Sequence, residues 1–225
     1  MNYSDTTVII PVKDEPAVGA VARQVLKELK GCKVIVIYKD DADRENVDFA
    51  DKNMALMKQK GNGKGVACMQ AAKRVNTRIL CLIDGDATYE AKDLKKAIAL
   101  VRGGADLAIG NRLNNLDREA MPAFIEFGNR VITQTSNLLY GLMLTDSQSG
   151  LRAIRKEAFD RLHLTEEFFG IETEMNVMAI KNCFKVVETP ISYHKRIGNS
   201  KQVKMLDGVK LLLTDFKFLF RGPQE

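Results

Sequence analysis

Short apolar runs rich in β-branched residues alternate with stretches of helical spacing along the first half of the chain. Five runs have the length and composition of buried strands: TTVIIP, KVIVIY, MALMKQ, RILCLID and ADLAIG. Helical spacing occupies the segments between them at 17–30, 64–75 and 93–102. Such alternation predicts parallel strands joined by crossover helices. A ligand site is therefore expected beyond the carboxyl ends of these strands.

The second half has a different pattern and is expected to form the other wall of a cleft. Helical stretches, one polar loop and two strand-like pieces split by Pro190 make up this half: helices near 122–140, 155–161 and 170–182, a loop at 145–151, and the pieces KVVET and ISYHK. We predict one α/β domain with a mixed, mostly parallel central sheet flanked by helices. The domain is expected to span residues 1–202.

The tail at 203–225 is predicted to contain an amphipathic helix from Val203 to Phe220. Its main apolar stripe follows three- and four-residue spacing and is expected to dock on something apolar: Leu206, Val209, Leu213, Phe216 and Phe220. Leu211 and Phe218 fall away from this stripe and are expected to be exposed. Lys210, Lys217 and Arg221 line one edge, which suits an anionic membrane. Packing on the domain or on a second subunit is the alternative.

Composition excludes several classes of protein. The 225 residues include 34 basic and 29 acidic side chains, and a net charge of +5 is too small for a dedicated nucleic-acid binder. Four scattered cysteines and two histidines form neither a disulfide framework nor a zinc motif. No long uncharged apolar run predicts a membrane span or an export signal. We therefore expect a cytoplasmic protein.

The segment RILCLIDGDATY carries the sharpest chemical signal. Asp84 and Asp86 stand one residue apart at the tip of a buried strand. Magnesium and manganese prefer carboxylate oxygens and keep positions open for water and phosphate. The pair is thus a candidate metal site. A strand-to-helix turn in which the acidic residues cap the next helix is the alternative.

Two further features of the first half suit a nucleotide. Lys64, within KGNGKG, opens a helix whose free amides and cation offer an anion site, although the spacing is not that of a Walker loop. Carboxylates also follow the first two strands, where they can accept hydrogen bonds from a base or a ribose: Asp14, Glu15, Asp40 and Asp41.

Polar clusters in the second half point to a phosphate-bearing second substrate. Arg112 follows the fifth strand, and the segment RIGNSK contributes Arg196 and Lys201. Arginine forks match phosphate oxygens. The segment DSQSGLR adds a dense polar loop after an apolar stretch: Asp146, Gln148, Ser149 and Arg152.

In this order, the motifs PVKDEP, NGKG, LIDGDATY, GNR, DSQSGLRA, ETEM and RIGNSK resemble those of family 2 glycosyltransferases with the GT-A fold. The chain looks most like polyprenyl-phosphate sugar transferases of the dolichyl-phosphate mannose synthase kind, from about Val8 to Lys201. The resemblance implies inverting, Mg²⁺- or Mn²⁺-dependent transfer of a sugar from a nucleotide diphosphate sugar to a membrane polyprenyl (dolichyl) phosphate. It also implies a nucleotide-sugar half at about 1–112 and an acceptor half at about 113–202.

Together, the residue patterns and the resemblance assign three sets of residues. Those expected to bind the nucleotide sugar are Pro11, Lys13, Asp14, Glu15, Asp40, Lys64, Asp84, Gly85 and Asp86, of which Asp84 and Asp86 hold the metal. Those expected to bind the acceptor phosphate are Arg112, Gln148, Ser149, Arg196, Ser200 and Lys201. Those expected to be catalytic are Asp86, Asp146, Arg112 and Arg196.

Departures from the family pattern leave the donor and acceptor open. Asp14 replaces a usual Asn, which leaves the contacts to the base and ribose open. Thr88 replaces a Gln common in mannose synthases, and the GNR and RxGxSK variants look more like archaeal and bacterial members that use UDP-sugars, so UDP-GlcNAc or UDP-glucose is preferred over GDP-mannose. A hydroxyl acceptor would require a base, with Asp146 or Glu174 as candidates. A nucleotidyltransferase and a non-catalytic nucleotide-sugar-binding module are the further alternatives. The protein is expected to be peripheral on the cytoplasmic face of a membrane, with a homo-oligomer possible.

Overall fold

The computed structural model describes residues 1–115, 119–197 and 205–222. Its strands are β1 (Thr6–Val12), β2 (Lys33–Tyr38), β3 (Met54–Lys58), β4 (Ile79–Leu82), β5 (Leu107–Asn111), β6 (Arg152–Arg155) and β7 (Val186–Pro190). They form a single sheet in the order β3-β2-β1-β4-β6-β5-β7. Six strands run parallel and β6 runs antiparallel between β4 and β5. The predicted fold class, a mixed and mostly parallel α/β sheet, is confirmed.

Helices cover both faces of the sheet. They are α1 (Val18–Glu28), α2 (Asp41–Glu45), α3 (Lys64–Ala72), α4 (Leu94–Arg102), α5 (Ala123–Tyr140), α6 (Lys156–Arg161), α7 (Ile171–Lys181) and α8 (Met205–Lys217). One apolar layer joins the sheet to α1 and α4, and a second joins it to α3, α6 and α7. Because both faces are buried, the central strands are continuous apolar runs without polar alternation.

Two expectations for the sheet are corrected. Strand β6 was not predicted, because its four residues begin and end with arginine and resemble a polar loop. The piece ISYHK is not a strand, and Tyr193 makes only an isolated bridge with Tyr89. After β7, an edge strand that tolerates Pro190 at its end, the chain leaves the sheet and His194 N donates to Thr88 O. This path brings the segment after β7 over the loop that follows β4.

Helix α8 packs with the opposite face from the one predicted. Phe218 is buried and Leu211 is half-buried, whereas Leu213, Phe216 and Phe220 of the main stripe are 62%, 50% and 96% exposed. The side chains of Leu206 and Val209 lie outside the described residues. Contacts with α5 and α7 decide the orientation: Ser136 Oγ of α5 donates to the buried Asp215 carboxylate, and Lys181 of α7 donates to the Phe218 carbonyl at 2.5 Å.

Among the described residues, none of the helices has both the length and the apolar composition that crossing a bilayer requires.

Candidate active site

A cleft of about 650 Å³ lies where the carboxyl ends of the parallel strands meet the second half of the chain. Six of the predicted site residues line it: Lys64, Asp84, Asp86, Arg112, Gln148 and Arg196. Apolar side chains also line the cleft, and they come from the start of α5, the segment before α7, and α8: Met121, Pro122, Ile125, Phe168, Phe169 and Leu211. The cleft therefore combines charged and apolar walls.

Asp84 and Asp86 occupy a tight turn directly after β4. The backbone of Gly85 lies so close to β1 that a Cβ there would stand 2.4 Å from Val12 Cγ1, so a larger residue would displace the turn. Asp86 Oδ1 accepts hydrogen bonds from Thr88 N at 3.1 Å and Thr88 Oγ1 at 2.6 Å. Burial and the neighbouring Asp84 charge raise the pKa of Asp86. A cation at this turn would relieve that repulsion.

Gly150 provides the space that Asp84 occupies. A Cβ on Gly150 would lie 2.3 Å from Asp84 Oδ2, a distance that real contacts do not show. The same residue is fixed from the other side, since its N–H donates to the Tyr89 hydroxyl at 2.8 Å. The loop before β6 is thereby held against the carboxylate turn.

Lys64 joins the turn after β4 to α7. Its Nζ lies 2.5 Å from Asp84 Oδ1 and 2.7 Å from Glu172 Oε1. Burial alone would lower the pKa of Lys64, but the charges of Asp84 and Glu172 raise it well above its ordinary value. The lysine is therefore a permanent cation on the floor of the cleft.

Arg112 is held by a buried, bidentate pair with Asp146. Its Nε and Nη2 each donate to one Asp146 oxygen at 2.7 Å, and the Arg112 backbone N–H donates at 3.0 Å. Burial would raise the pKa of Asp146, but the Arg112 charge and hydrogen bonds hold it below its ordinary value. Glu188 accepts from the Asp146 N–H at 2.8 Å. Both Asp146 oxygens are committed to Arg112, so this carboxylate positions the arginine, and a direct catalytic role for it stays a prediction.

Arg196 enters the cleft from the segment after β7. It ion-pairs with Glu15, and its Nη1 lies 3.7 Å from Asp86 Oδ2. Glu15 in turn receives support from a residue that the sequence did not single out, since its backbone N–H donates to the buried Asp43 carboxylate at 2.9 Å. Arg196 thus links the segment after β7 to the loop after β1 and to the turn after β4.

The other predicted residues lie outside the lining of the cleft. Pro11 is buried within β1, Lys13 and Asp14 are exposed just after it, and Asp40 is exposed at the start of α2. Ser149 is fully buried, and its hydroxyl has no hydrogen-bond partner among the described residues. Ser200 and Lys201 lie outside the described residues.

Sequence reasoning missed three polar residues of the cleft. Tyr89 and Tyr193 stack edge to face with ring centroids 5.3 Å apart, and Arg112 lies 5.3 Å above the Tyr193 ring. Glu172 stands in ETEM, where Glu174 was the candidate base. The structure buries Glu174 completely, and the backbone N–H groups of Thr165 and Glu166 donate to it. The phase of α7 therefore directs Glu172 to the cleft. The motif ETEM was the sequence signal that could have identified this residue.

The chemistry of the turn fits a divalent cation. Within 1–115, 119–197 and 205–222 no group of three or more His, Cys, Asp or Glu side chains is arranged to hold a metal. Two carboxylates would therefore supply the protein's share of the ligands, with water and phosphate oxygens completing the shell, as Mg²⁺ prefers. Asp84 and Asp86 both line a cleft that is large enough for those ligands.

Comparison with known proteins gives one family. Residues 7–162 match the model of glycosyl transferase family 2. Glycosyltransferase AglJ of Haloferax volcanii is 34% identical over 168 residues, which cover 74% of this chain and 55% of AglJ. The chain thus spans about half the length of that relative.

Two relatives carry more specific names. The dolichyl-phosphate hexose transferase of Haloferax volcanii is 27% identical, and the match covers 88% of this chain and 87% of that relative. The UDP-N-acetylglucosamine–dolichyl-phosphate N-acetylglucosaminyltransferase of Methanococcus voltae is 29% identical, and the match covers 62% of this chain and 59% of that relative.

Solved structures agree on the fold. Glucosyl-3-phosphoglycerate synthase from Mycobacterium tuberculosis, crystallised with Mn²⁺, UDP and phosphoglyceric acid, superposes with a TM-score of 0.74 at 13% identity. The match covers 98% of this chain and 80% of that one.

Proposed function

The chain belongs to glycosyl transferase family 2, and we propose that it transfers a sugar, with inversion, from a nucleotide diphosphate sugar to a membrane polyprenyl (dolichyl) phosphate. The observation that carries this proposal is that one cleft holds both charged and apolar walls. Carboxylates and cations line part of it, and the aromatic and aliphatic groups that line the rest suit an isoprenoid chain. An acceptor with a charged head and an apolar tail matches both kinds of wall.

The charged wall of the cleft suits phosphate chemistry. Asp84 and Asp86 would hold Mg²⁺ or Mn²⁺, which when bound neutralises the departing diphosphate. Lys64, Arg112 and Arg196 line the same cleft and would stabilise the phosphates of donor and acceptor. Asp146 fixes the Arg112 fork, so that charge is in place before the substrates arrive.

A phosphate acceptor explains why no strong base is needed. A lipid phosphate is already anionic at neutral pH, so its oxygen attacks the anomeric carbon without losing a proton. The two candidate bases for a hydroxyl acceptor are committed elsewhere, Asp146 to Arg112 and Glu174 to the N–H groups of Thr165 and Glu166. Positioning and charge neutralisation then provide most of the catalysis.

For the donor we propose UDP-GlcNAc or UDP-glucose ahead of GDP-mannose. The name of the Methanococcus voltae relative supports a UDP-sugar. Thr88, which replaces a Gln common in mannose synthases, uses its hydroxyl to hold Asp86. We also propose that the protein works at the cytoplasmic face of a membrane, where its lipid acceptor lies, and a second copy of the chain remains a possible partner.

Sugar transfer to a short polyprenyl phosphate tests this function. The four donors UDP-GlcNAc, UDP-glucose, UDP-galactose and GDP-mannose are compared with Mg²⁺ or Mn²⁺, and a lipid-soluble product from one of them is expected. Asp86→Ala should lower turnover at least about a hundredfold with the fold intact, because the diphosphate loses its cation.

Asp160→Ala, an exposed aspartate of α6 paired with Lys156, is the control and should keep full activity. Full activity in Asp86→Ala would remove the metal role. Transfer to soluble hydroxyl acceptors without any lipid phosphate would favour the alternative acceptor, and donor binding without turnover on any acceptor would favour a binding module.

A further inference from the structure

Lys64 is a resident cation at the turn where the metal is expected. Its Nζ bridges Asp84 and Glu172 at 2.5 Å and 2.7 Å, and the lysine and glutamate side chains are 13% and 7% exposed. An ammonium this close to a metal-binding carboxylate opposes a second cation there by Coulomb repulsion. Lys64 therefore needs a second carboxylate as its ion-pair partner if Asp84 is to bind the metal.

Glu172 is placed to be that carboxylate. Lys64 opens α3, and Glu172 lies in the first turn of α7. The two helix starts are joined through backbone groups: Val66 N donates to Glu167 O at 3.1 Å, and Gly63 and Gly65 pack directly on the carbonyls of Glu167 and Glu166. These backbone contacts hold the start of α3 beside the start of α7 without involving the Asp84 turn, and they bring Lys64 within reach of Glu172.

The charges of the cleft agree with this arrangement. Two groups of ion pairs meet at the turn after β4, one around Lys64 and one around Arg196. Together they contain four carboxylates, of Glu15, Asp84, Asp86 and Glu172, and two cations. These two groups alone carry a net charge of −2, while the neighbouring Arg112–Asp146 pair adds no net charge and the fully buried Arg152 adds +1. Without Glu172 the net charge of the two groups would be −1, and Lys64 would have Asp84 as its ion-pair partner.

We propose that Lys64 and the divalent cation compete for Asp84, and that Glu172 is a positioning residue which retains Lys64 when the metal takes Asp84. This proposal rests on the metal role of Asp84 and Asp86 in the proposed function. Lys64 then keeps one ion pair with Glu172 and turns its remaining N–H donors toward the diphosphate. Glu172 acts through Lys64 and does not itself bind the metal.

Mn²⁺ titration of the full chain, followed by the electron paramagnetic resonance of free Mn²⁺ with and without UDP, tests the proposal. Lys64→Gln should bind Mn²⁺ about tenfold more tightly without nucleotide, because the competing charge is gone. Glu172→Gln should bind it about tenfold more weakly. The double variant should match Lys64→Gln, since Glu172 has no lysine left to hold. Glu28→Gln, which breaks a remote lysine pair on α1, should match the wild type.

The outcomes separate the two proposals. If Glu172→Gln weakens Mn²⁺ binding by the same factor with and without Lys64, Glu172 acts directly on the metal and this proposal is overturned. Unchanged affinity in Glu172→Gln, beside measurable wild-type binding, also overturns it while sparing the proposed function. Absence of Mn²⁺ binding in the wild type and in every variant, at unchanged thermal midpoints, would overturn both. A raised donor KM at similar kcat in Lys64→Gln would support the contact of Lys64 with the diphosphate.

Discussion

At the scale of single residues, the site depends on one glycine as much as on its charged groups. Gly150 leaves the space that Asp84 occupies. We expect Gly150→Ala to displace this carboxylate from its contact with Lys64, because the added methyl group would overlap Asp84 Oδ2. Turnover should fall about a hundredfold or more while the protein stays folded. Steady-state kinetics with a circular dichroism melting curve would measure both effects.

Gly128→Ala is the matched control for this change. Gly128 lies within α5, and a Cβ there meets nothing within 4 Å. Alanine should preserve activity and stabilise the helix by about 0.5 to 1 kcal/mol. Equal activity in the two variants would show that Asp84 tolerates a methyl group at position 150, which would contradict the prediction from the 2.3 Å distance.

At the scale of elements, the packing of α8 on α5 depends on a buried acid. Asp215 is fully buried, its Oδ1 accepts from Ser136 Oγ at 2.6 Å, and its Oδ2 has no hydrogen-bond partner among the described residues. Burial raises the pKa of Asp215 to about 6 from an ordinary value of 3.8. The folded state therefore holds this proton more tightly than the unfolded state.

The direction of the pH effect follows from this raised pKa. The stability that the protonated Asp215 contributes is complete below pH 3.8 and is lost as the pH rises through about 6. The loss is no more than about 3 kcal/mol at pH 7.5. Asp215→Asn cannot ionise, so it should be more stable than the wild type at pH 7.5 and nearly equal to it at pH 4. Urea unfolding at the two pH values would measure the difference.

Asp160→Asn, at an exposed position, should follow the wild type at both pH values. An Asp215→Asn protein with the same pH dependence as the wild type would show that Asp215 does not titrate in this range. Leu211 and Thr214 of α8 line the cleft. The Asp215→Asn variant should therefore also keep this wall of the cleft in place at high pH.

At the scale of the whole molecule, the two helices that contribute apolar walls to the cleft also expose large apolar side chains. Helices α5 and α8 both line the cleft, and the exposed side chains are Phe124 and Phe127 on α5, Leu213 and Phe216 on α8, and Phe220 just after α8. Exposed apolar groups of this size, where they form one patch, are typical of a membrane or protein contact. We expect these side chains to meet the bilayer that holds the proposed acceptor.

Replacing Phe124 and Phe127 together by serine should weaken binding to anionic lipid vesicles about tenfold or more, because each side chain loses apolar burial. The KM for a long polyprenyl phosphate should rise, and the KM for a short water-soluble one should not. Vesicle sedimentation and transfer kinetics would measure the two effects. Leu56→Ser, on the remote strand β3, should change neither. Equal KM increases for both acceptors would indicate damage to the cleft instead of lost membrane contact.

The amino-acid sequence by itself determined the elements and the family. Apolar runs predicted β1 to β5 and β7. Strands β1, β4 and β5 need such runs because they are buried on both faces, whereas β3 and β7 are edge strands with partly exposed residues. Helix α5 was predicted at 122–140 and ends at Tyr140, where Gly141 adopts a left-handed φ of 66°. Asp84 and Asp86 at a strand end, with the ordered motifs, identified family 2, and the comparisons confirm it.

Only the tertiary structure decided which groups face the cleft. Spacing predicts that a helix has an apolar face, but the covering of that face depends on elements distant in sequence. Contacts with α5 and α7 therefore turned Phe218 of α8 inward and left Phe216 outward. The phase of α7 selected Glu172 over Glu174, and the fold paired Asp146 with Arg112 across 34 positions of sequence. Strand β6 was recognisable only once β4 and β5 lay on either side of it, because four residues carry too little periodicity on their own.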